Sequence, residues 1–156
     1  MSLSQLLTAD RIATLIEPGA SDTVLNAAAR LLSGDSPVTT TLIADSLQSR
    51  ERMGSTAIGH GIAIPHGRSA AFDEARGAFL RLVHPIDFGA SDGEPVDLVF
   101  ALAVPEHFTQ QHLQLLAELA ERFADADYRA ALRDAADVGA LHHLLTSEPT
   151  PRPAAA

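Results

Sequence analysis

Residues 59–68, Gly-His-Gly-Ile-Ala-Ile-Pro-His-Gly-Arg, constrain the backbone more strongly than any other stretch of the chain. Pro65 fixes its own φ and has no backbone N–H group, and it pushes Ile64 toward an extended conformation. Gly67 permits a sharp turn or the close approach of another group to the backbone. The stretch therefore predicts a strand end that presents the imidazole of His66 at the rim of a sheet. Such a histidine is able to act as a base, a ligand or a nucleophile, and a turn histidine without a role is the alternative.

The composition excludes several kinds of site. The 156 residues are enough for one domain with a proper core, and 46% of them are hydrophobic. The chain has no cysteine, which excludes disulfides, thiolate metal sites and cysteine nucleophiles. All 11 basic residues are arginine, so a P-loop lysine and a Schiff-base lysine are excluded as well.

Charge and hydropathy narrow the choice of partners and of compartment. A net charge of -9 argues against nucleic acid or an anionic membrane as the main partner, and it favours a protein with a basic face. No apolar run approaches the roughly 20 residues of a membrane span. The N-terminus lacks the basic and apolar regions of a secretory signal. We therefore expect a cytoplasmic protein that does not insert into a membrane.

Strand-like and helix-like patterns are mixed along the chain, which predicts a single α/β domain over residues 1–146. The apolar run 96–104, in which only Asp97 is polar, is typical of a central, buried strand. Other strands are predicted at 11–16, 55–58, 62–64 and 78–83, the last of them ended by Pro85. The predicted helices are an opening helix or turn at 2–7, one capped by Ser21 or Asp22 and ended by Gly34, one capped by Thr39 or Thr40 and ending near residues 50–54, and three at 109–124, 128–135 and 138–145. Residues 147–156 are predicted to be a disordered, proline- and alanine-rich tail.

Two further residues are candidates for the same site as His66. His112 follows Thr109 in the first turns of a predicted helix, where the helix dipole favours a neutral imidazole and a nearby anion. Arg50 lies at the predicted end of another helix and is able to form a forked pair with phosphate. Taken alone, a solvated histidine and an arginine that complements the helix dipole are the commoner cases.

The remaining histidines show no pattern of a functional site. They are His60, His84, His107, His142 and His143. The sequence contains no HExxH or similar zinc motif. The pair Gly59-x-Gly61 lacks the rest of a dinucleotide-binding fingerprint, so no metal and no cofactor is predicted.

The stretch 49–56, Ser-Arg-Glu-Arg-Met-Gly-Ser-Thr, followed by 59–67, resembles the active segment of the type-2 enzyme IIA domains. These domains belong to the bacterial phosphoenolpyruvate-dependent phosphotransferase system, in the mannitol/fructose and nitrogen-regulatory family. The resemblance continues through 85–88, 92–102, Pro105 and 112–116, and it covers nearly the whole chain except the tail. The Arg-Glu-x-Met-Gly-Ser-Thr stretch and the length of the domain favour the nitrogen-regulatory enzyme IIA branch.

The resemblance implies a mixed β-sheet flanked by helices and a set of roles for the candidate residues. His66 is implied to accept the phosphoryl group, on Nε2, from a histidine-phosphorylated carrier protein of the HPr type. His112 is implied to assist transfer without being phosphorylated, and Arg50 to lie beside the phosphoryl group. Phosphoryl transfer mainly needs positioning and charge neutralisation, so no metal or nucleotide is required.

Three functions remain open from the sequence. The preferred one is a regulatory phosphocarrier that binds other proteins according to its phosphorylation state. The second is a sugar-specific enzyme IIA that relays phosphate to a IIB domain, and the lack of an appended IIB or IIC segment disfavours it. The third is a non-enzymatic binding module whose histidines are structural or bind a metal.

Overall fold

A mixed sheet of six strands forms the centre of the computed structural model, which describes residues 3–34, 36–107 and 110–147, with the backbone alone at 3, 111 and 112. The strands are β1 (Ile12–Leu15), β2 (Ala57–Gly59), β3 (Ile62–Ala63), β4 (His66–Arg68), β5 (Arg76–Ile86) and β6 (Val96–Val104). Their order is β1-β5-β6-β3-β2, and β4 pairs with β6 beside β3. The expected α/β fold with a mixed sheet is confirmed.

The central strand β6 has the bounds predicted from its apolar run. All of its residues are buried except Asp97, which is partly exposed. It pairs antiparallel with β5 and parallel with β3 and β4. Each large side chain buried there stabilises the fold by about 1.5–3 kcal/mol, so this strand is the main organiser of the core.

Helices cover both faces of the sheet. They are α1 (Leu3–Leu6), α2 (Ser21–Ser33), α3 (Pro37–Arg52), α4 (Gln110–Phe123), α5 (Ala126–Asp134) and α6 (Val138–Thr146), with a 3-10 turn at Ala9–Arg11. Leucine, isoleucine and alanine residues of α2 and α3 pack with Val99 and Ala101 on one face. Residues of α1 and of α4 to α6 pack with Phe100 and Leu102 on the other. No described helix has the length and the apolar character needed to cross a membrane.

Both predicted N-caps are wrong, by one and by three residues. The helix α2 is preceded by Ala20, which makes no side-chain cap, although Gly34 ends the helix with φ 70° as predicted. The cap of α3 is Ser36, whose hydroxyl accepts a hydrogen bond from the backbone N–H of Thr39. Pro37 occupies the first helical position, where its fixed φ and missing N–H suit the helix.

Two strand predictions also need correction. Pro85 does not end β5, which continues to Ile86. Its pairing with β6 shifts between Arg81 and Ile86, so the missing N–H of the proline falls where the regular ladder is interrupted. The strand β4 was not predicted, because its three residues His-Gly-Arg carry no apolar alternation.

Thr109, the predicted first residue of the helix 109–124, and tail residues 148–156 lie outside the described residues, so the disordered tail stays a prediction.

Candidate functional site

His66 begins β4 just after a short interruption of the sheet. The strand β3 ends at Ala63, which pairs with Val99, and His66 pairs with Leu102 in the same parallel register. Across the interruption, the carbonyl oxygen of Pro65 still accepts from the backbone N–H of Leu102 over 2.9 Å. The predicted strand end is therefore a break between two short strands, and His66 lies half-buried at the start of the second one.

The imidazole of His66 is oriented by the backbone two residues before it. Its Nδ1 lies 2.8 Å from the carbonyl oxygen of Ile64. A carbonyl oxygen only accepts hydrogen bonds, so Nδ1 carries the proton and the lone pair of the neutral ring is on Nε2. This is the tautomer that a nucleophilic Nε2 requires.

Electrostatics keep the ring of His66 neutral. Burial lowers its pKa from the ordinary value of 6.5, and the hydrogen bond to Ile64 opposes this change. The positive charge of Arg50 lowers the pKa further, while the negative charge of Glu51 raises it. The net effect is a lowered pKa, so the nucleophilic form predominates at neutral pH.

Gly67 lets the helix α3 pack directly on β4. A Cβ at this position would lie 3.0 Å from the Cβ of Ser46 and 3.1 Å from its carbonyl carbon. The hydroxyl of Ser46 also donates to the carbonyl oxygen of Arg68 over 2.9 Å. The predicted close approach at Gly67 is confirmed, and it fixes α3 against the strand that carries His66.

Arg50 lies in the last turn of α3, as predicted. Its Nη1 donates to the carbonyl oxygen of Gly54 over 2.9 Å, which holds the turn after the helix. Its charge is close enough to lower the pKa of His66. Arg50 therefore acts on His66 through its charge and also holds the helix end, and its place beside a bound phosphoryl group stays a prediction.

His112 belongs to the first turn of α4, and its side chain is outside the described part of the structure. Two features of the fold support the prediction that this helix starts near His66. Gly67 faces α3, so His66, one residue earlier in the strand, faces the side of the sheet that α4 covers. The strand β6 also ends two residues after Leu102, the pairing partner of His66. A meeting of the two imidazoles stays a prediction.

Sequence reasoning missed the roles of Glu51 and Thr56. The carboxylate of Glu51 accepts from both the backbone N–H of Thr56, over 3.0 Å, and its hydroxyl, over 2.6 Å. Thr56 is only 5% exposed. No helical or strand period relates residues five apart across a helix end, so no sequence pattern signals this pair.

His60 occupies the turn between β2 and β3, at the opposite end of the sheet from His66. Its φ of 58° is positive, and its backbone N–H donates to Asp92 over 3.0 Å. It borders an open cleft of about 550 Å³ that Asp97 and Arg133 also line. Among the described residues, no three histidine or acidic side chains are grouped so as to hold a metal ion.

Comparison with known proteins assigns the family. Residues 5–148 match the family model described as "Phosphoenolpyruvate-dependent sugar phosphotransferase system, EIIA 2". The chain therefore belongs to this family of phosphotransferase-system EIIA components, as the motifs around Arg50 and His66 indicated.

Its relatives narrow the assignment to the nitrogen-regulatory group. A nitrogen regulatory protein of Pseudomonas aeruginosa is 40% identical over 144 residues, which are 92% of this chain and 94% of that protein. The crystal structure of nitrogen regulatory protein IIA-Ntr from Neisseria meningitidis gives a TM-score of 0.86 at 36% identity, covering 92% of this chain and 99% of that one. The chain is thus a phosphocarrier component similar to nitrogen regulatory EIIA proteins.

The fold extends to a more distant branch. The Escherichia coli structure described as a complex of enzyme IIAMTL and phosphorylated enzyme IIBMTL matches with a TM-score of 0.72 at 20% identity. The match covers 89% of this chain and 96% of that one. At this identity the likeness shows the fold alone.

Proposed function

We propose that this protein accepts a phosphoryl group on Nε2 of His66 from a phosphohistidine carrier protein of the HPr type, and that its phosphorylation state regulates partner proteins. The observation that carries the proposal is the hydrogen bond from Nδ1 of His66 to the carbonyl oxygen of Ile64. It leaves the lone pair on Nε2, and the lowered pKa keeps that nitrogen unprotonated at neutral pH.

The phosphoryl transfer needs no reactant other than the donor phosphohistidine and His66. The lone pair of Nε2 attacks phosphorus while the N–P bond of the donor phosphohistidine breaks, and the electron pair of that bond returns to the donor nitrogen. The guanidinium of Arg50 neutralises charge on the phosphoryl oxygens, and His112 assists from the start of α4. We expect no metal and no cofactor in this reaction.

Partner binding is proposed to use exposed apolar side chains that are close in sequence to Arg50 and His112. Met53, just after α3, is 83% exposed, and Leu113, next to His112, is 69% exposed. The net charge of -9 favours a donor with a basic face around its own phosphohistidine. Such a donor implies a cytoplasmic location.

The phosphoryl group provides a switch at the same surface. It adds roughly -1.5 to -2 charge at His66, so a partner that contacts this patch closely binds the unphosphorylated form better unless it offers arginines. The likeness to nitrogen regulatory proteins supports this regulatory role.

A relay of phosphate to a IIB domain is the second candidate, favoured by the fold shared with an enzyme IIA whose structure contains a phosphorylated IIB partner. Equal affinity of a regulatory partner for the unphosphorylated protein, the phosphorylated protein and the His66→Asp variant would favour this relay.

One labelling experiment tests the proposed function. The protein is incubated with phosphoenolpyruvate and the general phosphotransferase proteins, and its intact mass is measured. Wild type and His143→Ala, which alters an exposed histidine on α6, are expected to gain one acid-labile phosphoryl group. His66→Ala is expected to gain none while remaining folded. A folded His66→Ala protein that still takes up phosphate would overturn the assignment of His66 as the acceptor. A wild type that takes up none would overturn the proposed function and favour a non-enzymatic binding module.

A further inference from the structure

We propose that Glu51 is a positioning residue for His66, acting through Thr56 and Ile64; this inference rests on the proposed phosphoryl transfer at His66. Glu51 does not need to touch the phosphoryl group. It is connected to the imidazole by a continuous chain of hydrogen bonds that runs from the end of α3 to the start of β4.

The first link consists of hydrogen bonds between Glu51, at the end of α3, and Thr56, which directly precedes β2. Both carboxylate oxygens of Glu51 are used: one accepts from the backbone N–H of Thr56 over 3.0 Å, and the other accepts from its hydroxyl over 2.6 Å. Two hydrogen bonds to one carboxylate fix the orientation of a residue as well as its distance. Because Thr56 is buried, water does not readily replace either bond if the carboxylate is removed.

The second link joins Thr56 to the backbone beside His66. The carbonyl oxygen of Thr56 accepts from the backbone N–H of Ile64 over 3.0 Å. The carbonyl oxygen of the same Ile64 then accepts from Nδ1 of His66 over 2.8 Å. Ile64 is itself buried and precedes Pro65, which restricts its backbone. A shift of Glu51 would therefore move the peptide groups of Thr56 and Ile64, and with them the imidazole of His66.

This chain of hydrogen bonds affects the direction in which the lone pair on Nε2 points. The direction of the Nδ1 hydrogen bond sets the rotation of the ring, and therefore the direction of the lone pair on Nε2. In-line attack on phosphorus depends strongly on that direction, and a misplacement of about 1 Å is able to reduce a rate by about 100-fold. Glu51 thus contributes to the reaction by holding the ring, in addition to its effect on the pKa of His66.

Two substitutions of Glu51 distinguish its hydrogen bonds to Thr56 from the effect of its charge on the pKa of His66. Glu51→Ala removes both acceptors, while alanine is a good helix former and suits α3. Glu51→Gln removes the charge but keeps both links, since the amide oxygen accepts from the backbone N–H of Thr56 and the amide nitrogen donates to its hydroxyl oxygen. Asp45→Ala is the matched control, because Asp45 is an exposed carboxylate on the same helix.

The test combines a rate with a spectroscopic measurement that needs no phosphate. The initial rate of phosphoryl uptake is measured for each protein, and 15N chemical shifts of the His66 ring report the tautomer in the unphosphorylated protein. We expect Glu51→Ala to be about 10- to 100-fold slower than wild type and to lose part of the Nδ1-protonated tautomer. Glu51→Gln and Asp45→Ala should retain the tautomer and stay within about threefold of the wild-type rate, since neither breaks the chain of hydrogen bonds.

The results that overturn the inference are distinct from failure of the proposed function. A Glu51→Ala protein with the wild-type rate and tautomer would overturn it. So would a Glu51→Gln protein as slow as Glu51→Ala, because the charge would then carry the effect. If Glu51→Ala does not fold, Thr56→Val removes the hydroxyl link alone and should lower the Nδ1-protonated fraction; an unchanged fraction there overturns the inference as well. If wild type takes up no phosphate, the tautomer comparison still decides the role of Glu51.

Discussion

Arg133 and Asp97 form an ion pair through two hydrogen bonds that fastens α5 to the beginning of β6. The Nε and Nη2 groups of Arg133 each lie 2.9 Å from a different carboxylate oxygen of Asp97. The same Nη2 donates to the carbonyl oxygen of His60 over 2.7 Å. Asp97 is five residues before Leu102, so about 16 Å of strand separates this pair from the pairing partner of His66.

Because of this separation, we expect a substitution at the Asp97 end of β6 to change the stability of the fold without changing phosphoryl uptake at the His66 end. Asp97→Ala is expected to lower the free energy of unfolding by about 1–2 kcal/mol, a value reduced by the partial exposure of the pair. Urea denaturation measures this loss, with Glu118→Ala on the exposed side of α4 as the control. Below the unfolding range, the uptake rate of Asp97→Ala should equal that of wild type; a large loss would show that the two ends are coupled.

Gly67→Ala tests the close packing of α3 on β4. The added methyl group would meet the Cβ and the backbone of Ser46, so α3 must move or the strand must shift. We expect a loss of about 1–3 kcal/mol in the free energy of unfolding, together with slower uptake at His66. Gly139→Ala on α6 is the control, since its nearest neighbour would be Asp137 at 3.4 Å and alanine favours a helix. Equal stability of the two variants would contradict the packing argument.

The lowered pKa of His66 predicts a pH dependence with a defined sign. Burial disfavours the charged ring, so the unfolded chain binds a proton at a higher pH than the folded protein. Stability contributed by the neutral ring is fully present above the unfolded value of 6.5 and falls as the pH drops below it. Denaturation curves between pH 5 and pH 8, roughly the range where histidine titrates, should show a smaller slope for His66→Gln than for wild type. An NMR titration that gives His66 a pKa at or above the ordinary value of 6.5 would contradict this prediction.

Removal of Arg50 should weaken the site without destroying it. Loss of one charge-assisted hydrogen bond to the phosphoryl group corresponds to about 1.5–3 kcal/mol, so Arg50→Ala should transfer phosphate about 10- to 100-fold more slowly. His112→Ala should still accept phosphate, slowly, and pass it on poorly. Stopped-flow measurement of uptake and onward transfer separates the two steps. Unchanged rates in both variants would remove both residues from the site.

Met53 and Val38 provide a matched test of the docking surface. Both lie at the ends of α3 and are 83% and 72% exposed. Met53 follows Arg50 by three residues, whereas Val38 lies about 22 Å from Met53 along the helix. Met53→Glu is expected to raise the concentration of carrier protein needed for half-maximal uptake, and Val38→Glu to leave it unchanged. The same response in both variants would indicate a non-specific charge effect.

The sequence predicted the parts of the fold that depend on local pattern. The strand β6 has the predicted bounds, because a stretch of nine residues in which only Asp97 is polar has few other solutions. Gly34 was recognised as a helix end for a similar reason, since few residues other than glycine adopt a positive φ easily. The close approach of another group was one of two possibilities predicted at Gly67, because glycine has no Cβ, but the sequence did not indicate that α3 is that group.

What could not be predicted depends on contacts between distant residues. The strand β4 exists because its backbone pairs with Leu102 and Val104, and its own side chains do not signal a strand. The role of Glu51 depends on Thr56 being buried, which no residue near Thr56 indicates. The cap of α3 was misplaced because several neighbouring residues are suitable, and Pro37 at the first helical position selects Ser36. The helix α2 begins after Ala20, which has no side chain that could signal a cap.

The interruption between β3 and β4 has a consequence for how this segment changes in evolution. Ala63 and His66 pair with β6 in the same register, so the two residues between them replace ordinary strand residues one for one. Adding or deleting a single residue there would turn the imidazole to the opposite face of the sheet and put a different side chain against Ser46. We therefore expect the fold to tolerate another apolar residue in place of Ile64, but not a change in the number of residues that separate the two short strands.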